Sequence, residues 1–386
     1  MFAQRNVAYL LLIVMLGLIA LGLVMLTSTS AKLATGDMVD IYSNLRKQCV
    51  WLCLGGIVCV FLSRYDYQKV LRYSPHMVVL ACILLVLCRV PHVGVMFNGS
   101  YRWIRLAGLT YQPSEFAKLA MIFFLSWWMG KNHRRVGEFM KGLVLPIACT
   151  APILGLMIVQ QDFGTTAIML AILVIILFCA GTRMLYLIPV PILGFAGLVL
   201  ITLFKPERLA RWMAFLHSAH TTDPALLQKF YQQQQALIAL GSGGLSGLGL
   251  GNSVQKMYWL PEVNTDFVFP IIGEELGLCV TLAVVLSFLL WVLCSIWITA
   301  HAPDPAGVLL GTGLTAMISL QALMNLAVVT SLMPCKGIPL PFISYGGSNL
   351  LTCLAAVGML FNLHRQGIYQ TTSAPPMAAA TYSVRM

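Results

Sequence analysis

The chain has 386 residues, 59% hydrophobic and only 10% charged, with a mean hydropathy of +0.84. A soluble domain carries about 25% charged residues, so the composition excludes a water-soluble globular protein and indicates one polytopic membrane unit. The 24 Lys and Arg against 13 Asp and Glu give a net charge of +11, which suits anionic headgroups or anionic lipid-linked molecules; with no basic run or soluble domain to hold it, nucleic acid is not an expected partner.

Apolar runs of membrane-spanning length predict spans near 7–27, 48–63, 75–90, 114–130, 140–159, 164–181, 184–204, 267–298, 306–332 and 342–363. The expected fold class is all-α: a polytopic integral membrane protein of about ten transmembrane helices. One large extracytoplasmic loop, about 205–266, lies between spans seven and eight. The first run reads as a span rather than a cleaved signal, because no small-residue cleavage site follows it. Even parity puts both termini on one side, and the Lys/Arg bias of the short loops makes that side the cytoplasm. The large loop holds amphipathic stretches and the glycine run GSGGLSGLGLGN, which permits tight turns. Residues 1–365 form the membrane domain, and 366–386, rich in Ser, Thr, Ala and Pro, a short cytoplasmic disordered tail. The 11 cysteines show no C-x-x-C and no zinc spacing; those in or at the edge of apolar spans read as small apolar fillers, and Cys335, in a polar motif, is the exception.

Four stretches break the apolar pattern, and parity places them on one side of the membrane: NGSYRWIRLAGLTYQPSEFAK (Asn98–Lys118), QQDFGTT (Gln160–Thr166), WLPEVNTDFVFPIIGEELG (Trp259–Gly277) and MPCKGIPLPFISYGGSN (Met333–Asn349). Acids, bases and amides gathered on one face suggest a site for a polar substrate. In the first stretch, Glu115 and Lys118 share a helical face at i, i+3. They read either as a neutralising ion pair or, with Arg102, Arg105 and Gln112, as a cationic and amide wall for a phosphate or sugar. Asp162 reads as an N-cap of span six, with room for a second role facing the cavity.

Asp266 also has an N-cap reading at the start of span eight, yet it stands with Glu262, Asn264 and Thr265 at one membrane surface. A partly desolvated carboxylate there can act as a general base. Glu274 and Glu275, about two turns deeper, need a wet cavity or a structural ion pair. In the last stretch, Pro339 and Pro341 stop helix on entry, and Gly346-Gly347 permits a kink or re-entrant turn. No Walker A loop and no G-x-S-x-G is present.

At these residues the chain resembles the SEDS family (shape, elongation, division and sporulation). PLPFISYGGSN looks like the family's hallmark. YRWIRLAGLTYQPSEFAKLA, QQDFGTT, ALIALGSGGLSGLGLGNSVQK and LPEVNTDFVFPIIGEELG match further blocks in the family's order. The likeness runs from about residue 7 to 365, and the Lys of MPCKGIPLPF is more like the division branch than the elongation branch.

The resemblance implies a peptidoglycan glycosyltransferase in the bacterial cytoplasmic (inner) membrane at the division site. It would polymerise lipid II on the outer face, paired with a class B penicillin-binding protein and other divisome membrane proteins. By motif match Asp266 is the family's essential aspartate, and Gln112, Glu115, Lys118, Asp162, Lys336 and Ser344 fall on matched positions. Gln161, Asn264 and Cys335 depart from the usual Pro, His and Thr. In the implied reaction Asp266 is the base. Arg102, Arg105, Lys118 and Lys336 are candidates to stabilise the leaving pyrophosphate, as is a divalent cation (Mg2+ or Mn2+) held by carboxylates. The alternatives are a lipid II flippase and a non-catalytic scaffold that recruits the crosslinking enzyme.

Overall fold

Hydrocarbon offers no hydrogen-bond partners, so apolar segments satisfy their own backbone by folding as helices. The computed structural model describes residues 2–30, 42–97, 99–106, 109–204, 206–216 and 224–373. In chain order the first helices are α1 (Phe2–Ser30), α2 (Ser43–Arg64), the short α3 (Tyr67–Arg72) and α4 (Ser74–Leu87). Strands β1 (Gly94–Phe97), β2 (Ser100–Leu106) and β3 (Leu109–Tyr111) follow. Then come α5 (Pro113–Lys131), α6 (Leu145–Val159), α7 (Phe163–Cys179), the single turn α8 (Met184–Leu187) and α9 (Pro189–Leu203). The segment expected as one large loop contains α10 (Pro206–Leu216), α11 (Pro224–Ser242) and α12 (Gln255–Tyr258), and the chain closes with α13 (Val268–Ala300), α14 (Pro305–Val329) and α15 (Gly347–Ser373).

Among the described residues five helical segments are long and apolar enough to cross a membrane: Asn6–Ser30, Ser43–Arg64, Met140–Val159, Val268–Ala300 and Pro305–Val329. Shorter apolar helices accompany them at Ser74–Leu87, Phe163–Cys179 and Met184–Gly197. The all-α expectation stands, with one addition: β1, β2 and β3 form a small antiparallel sheet. Its β1–β2 turn carries Gly99 at φ 77, a left-handed conformation that glycine adopts without steric cost. Part of the segment expected as a tail is helical, since α15 continues to Ser373; residues 374–386 lie outside the described ones.

Helix α14 is the axis of the bundle. It is the most buried of the five long segments and packs against α5, α7 and α13. Proline opens α5 and α14 in their first turn, where its missing N–H costs nothing. Asp304 caps α14 by accepting from the Gly307 N–H at 2.7 Å, and it also accepts from the Tyr67 hydroxyl at 2.6 Å, which ties α3 to the same end.

Helix α13 breaks at Gly277 (φ 80, ψ −177), a conformation that is essentially glycine's alone. The glycine run of the preceding segment supplies hydrogen bonds at the break. Leu248 and Gly249 N–H donate to the carbonyls of Glu274 and Glu275 at 2.9 and 3.0 Å, and Leu278 N–H donates to Gly244 at 2.9 Å. Side chains complete this clasp. Lys256 pairs with Glu275 at 2.6 Å, both fully enclosed, and Ser28 of α1 donates to Glu275 at 2.7 Å. Glu274 accepts from the Ser253 hydroxyl and from Val254 N–H at 3.0 Å. Of the two readings open for these glutamates, the structure shows bonded partners for both and an ion pair for Glu275.

Gly277→Ala is expected to destabilise the protein, because the new methyl would meet the Leu245 carbonyl and the left-handed backbone alone costs about 1–2 kcal/mol. Gly56→Ala, with open space around its Cβ position, should leave the melting temperature in detergent unchanged or higher. Equal melting temperatures for the two variants would refute the dependence on the kink.

Candidate functional site

The four polar stretches meet at one end of the bundle and bond to each other. Gln112, just before α5, receives its backbone link from α15: its N–H donates to Ser348 Oγ at 2.9 Å. Its side chain donates to Asp162 Oδ2 at 3.4 Å. Asn349 donates to Glu115 Oε2 at 3.2 Å. Tyr345 N–H donates to the Asn264 carbonyl at 2.8 Å. Each of these bonds joins residues from two different stretches.

Glu115 and Lys118 lie on the buried face of α5, 4% and 1% exposed, with 2.9 Å between charges. The Lys118 ammonium also donates to Gln321 Oε1 of α14 at 2.9 Å. The geometry therefore assigns Lys118 to an internal network rather than to an open wall. Ser344 is likewise enclosed: its hydroxyl accepts from Leu340 N–H at 2.8 Å and its carbonyl accepts from Gln48 of α2 at 3.4 Å.

Asp162 caps α7, accepting from the Thr165 N–H and hydroxyl at 3.4 and 3.0 Å, while its other oxygen takes the Gln112 amide. Arg102 on β2 spends its guanidinium on the carbonyls of Gln160 and Gln161, at 3.3 and 2.8 Å. This locks the sheet over the α6–α7 turn, where Gln161 holds φ 64. Arg105 stands exposed on the same strand. Lys336 is partly exposed, with Nζ 5.8 Å from the centre of the Phe163 ring, a cation–π distance.

Asp266 differs from the other acids. It does not cap α13: the helix starts at Val268 and its N-cap is Phe267, without a side-chain cap. Among the described residues its carboxylate has no hydrogen-bond partner. Gly337 faces it so closely that a methyl there would sit 2.5 Å from Oδ2. Enclosure by protein, reinforced by the charge of Glu262, pushes the carboxyl up to about 7. Glu262 itself holds φ 56, and its carbonyl accepts from Thr265, Asp266 and Phe267 N–H at 3.2, 3.2 and 3.3 Å. Among the described residues no group of three His, Cys, Asp or Glu side chains is placed to hold a metal, so a divalent ion finds no such ligand set at Asp266.

Sequence reasoning missed Gln321 and Asn325. Gln321 donates to the Pro339 carbonyl at 3.0 Å, and Asn325 donates to the carbonyls of Asp266 and Ile338 at 2.8 and 2.7 Å. Their signal was available: two amides at i, i+4 inside an apolar span are expensive unless they have partners.

The comparisons with known proteins agree with this architecture. A family model described as a cell cycle protein, covering FtsW, RodA and SpoVE, matches residues 8–368. Stage V sporulation protein E of Bacillus subtilis is 37% identical over 360 residues, 93% of this chain and 97% of that one. A probable peptidoglycan glycosyltransferase FtsW of Geobacter metallireducens is 35% identical over 353 residues, covering 92% and 93% of the two chains. Among solved structures, the rod shape determining protein RodA of Thermus thermophilus aligns with a TM-score of 0.64 at 26% identity, covering 92% of this chain and 96% of that one. A chain of a peptidoglycan synthase complex, described as coordinating polymerization and crosslinking, aligns with a TM-score of 0.72 at 24% identity over 92% and 97% of the two chains. With the fold shared along nearly its whole length and the family model matched from residue 8 to 368, this chain belongs to the FtsW/RodA/SpoVE family of cell cycle proteins.

Proposed function

We propose that the protein is a peptidoglycan glycosyltransferase that polymerises lipid II at the outer face of the cytoplasmic membrane during cell division. The observation that carries the reading is Asp266: a carboxylate with no hydrogen-bond partner among the described residues and a raised proton affinity, at the end of the bundle where the four polar stretches converge. The relatives named as probable peptidoglycan glycosyltransferases support the substrate class.

In this reaction Asp266 takes the proton of an acceptor sugar hydroxyl as that oxygen bonds to the donor's anomeric carbon. The bond from that carbon to the pyrophosphate oxygen breaks, and undecaprenyl pyrophosphate leaves with the electron pair. Attack opposite the leaving group inverts the anomeric centre. Lys336 and Arg105 have exposed surface and are the cations proposed to meet the departing charge. Arg102 and Asp162 shape the wall between them, and Gln112, Glu115, Lys118 and Ser344 hold its frame. A class B penicillin-binding protein is the proposed partner, crosslinking the strands this chain makes. The flippase reading is weakened by the same geometry. A polar path needs open charges, whereas Glu115, Lys118, Glu274 and Glu275 are enclosed and bonded internally.

Asp266→Asn keeps the shape and removes the base. With lipid II in proteoliposomes and the partner present, polymerisation should fall about 10²–10⁴-fold while the melting temperature holds. A general base acts only when deprotonated, so the wild-type rate should rise with pH through about 7, not through the ordinary carboxylate range. Full activity of Asp266→Asn would remove the base, and lipid II translocation without polymer would favour a flippase.

Lys118→Met strands the buried Glu115 charge and should cost about 3–5 kcal/mol. Glu115→Gln/Lys118→Met leaves no charge and should regain most of that stability with measurable polymerisation. Complete inactivity of the double variant at wild-type melting temperature would show that the cation serves substrate directly.

Both termini are proposed to be cytoplasmic. A reporter active only outside the membrane should work when inserted at 217–223 and fail after Arg365; the reverse pattern would overturn the orientation and the outer-face site with it.

A further inference from the structure

Asn325 lies on the buried face of α14 near its C-terminal end, 1% exposed. Both hydrogens of its amide are committed. One goes to the carbonyl of Asp266 at 2.8 Å and the other to the carbonyl of Ile338 at 2.7 Å. This fixes which way the amide faces and leaves Oδ1 buried without a partner. Such an orphan acceptor carries a desolvation cost of about 1–3 kcal/mol, so the site retains an amide where an apolar side chain would have no polar atom to leave unpaired.

The two carbonyls belong to separate segments. One is the stretch before α13, the other the stretch before α15. Gly337 sits between them with its Cα side against the Asp266 carboxylate, and a methyl there would reach Oδ2. Gly337 thus provides the room that the carboxylate occupies, and Asn325 sets the width of that room by gripping both walls. One turn earlier, Gln321 holds the next carbonyl of the same stretch, Pro339, and receives the Lys118 ammonium. Lys336 directly precedes Gly337, so the same grip also sets the spacing between Asp266 and Lys336.

We propose that Asn325 is a positioning residue for Asp266: it clamps the Asp266 backbone to the Gly337 turn and so presents the carboxylate to the acceptor hydroxyl at a fixed distance from Lys336. This rests on the glycosyltransferase reading above. A displacement of about 1 Å at a reacting group is enough to lose a hundredfold in rate. The charged and titratable groups felt at the carboxylate are Glu262 on its own segment and Cys335 on the opposing one, and Cys335 in turn feels the charge of Arg211 of α10. Opening the clamp admits water, and water lowers the proton affinity that enclosure had raised.

The test uses the full chain with its partner and lipid II. In Asn325→Ala, kcat should fall about 10–100-fold with KM within about threefold of wild type, and the acid limb of the pH–rate profile should move to lower pH. Infrared titration gives a reading independent of activity. The carboxyl band that disappears in Asp266→Asn should titrate at lower pH in Asn325→Ala than in the wild type. A residue that only braces the loop would lower the melting temperature and leave both titrations in place, and that result would overturn the inference. Should Asn325→Ala fail to fold, Gly337→Ala decides: it crowds the carboxylate from the other wall, and wild-type kcat in that variant would equally overturn the inference. Loss of polymerisation in Asp266→Asn combined with wild-type behaviour in Asn325→Ala would sink this inference alone. Activity in Asp266→Asn would sink the reading beneath it.

Discussion

Two unit charges enclosed among apolar helices are tolerable only in each other's company, and the Glu115–Lys118 pair of α5 is the point on which the polar end of this bundle turns. Each charge reaches one helix further. Glu115 accepts from Asn349 at the head of α15, and Lys118 donates to Gln321 in the C-terminal half of α14. The pair thereby fixes α5, α14 and α15 relative to one another with three directed bonds, where apolar packing alone would leave sliding and rotation cheap. From Gln321 the constraint passes to Pro339, and from Asn325 one turn on it passes to Ile338 and Asp266. A buried ion pair thus underlies the placement of Asp266, whose carboxylate has no hydrogen-bond partner among the described residues.

The division of labour among the acids follows from hydrogen-bond accounting. Among the described residues Asp162, Glu274, Glu275 and Asp304 each bond through both oxygens and Glu115 through Oε2, by way of caps, amides, hydroxyls or a lysine. Asp266 does not. A half-buried carboxylate with no bonded partner among the described residues, beside a convergence of motif segments, is where chemistry can be expected. The left-handed residues point to the same region. Gln161, Glu262 and Phe342 all hold positive φ without being glycine, and each lies within a polar stretch at this end of the molecule.

Much of this was legible in the sequence. The i, i+3 spacing of Glu115 and Lys118 announced a shared helical face, and the Asp before Phe163 announced a cap. What stayed hidden was whatever depends on partners far away in the chain. Lys256 reads as a loop lysine until Glu275 is seen beside it. The short strands from Gly94 to Tyr111 carry no long alternation, because a three-stranded sheet this small needs only a turn and a bulge at Val95/Met96 to form. Asp266 resembled a helix cap because it sits one residue before the true N-cap, Phe267, and the boundary between loop and helix is the weakest element of any sequence reading. Gln321 and Asn325 stay inconspicuous in the sequence because an uncharged amide interrupts an apolar span less visibly than a charge, although it obeys the same rule of compensation.

The clasp at Gly277 has a consequence for how the chain is made. Its components are synthesised in a fixed order: Ser28 with α1, then the glycine run and Lys256, and only afterwards Glu274, Glu275 and the apolar part of α13. When the two glutamates emerge, the lysine, the serines and the backbone amides that will receive them already exist. Neither carboxylate needs to wait in the bilayer for a partner still inside the ribosome. The order of residues along this chain is thus also an order of insertion in which acceptor follows donor, and an acidic helix end enters a membrane already neutralised.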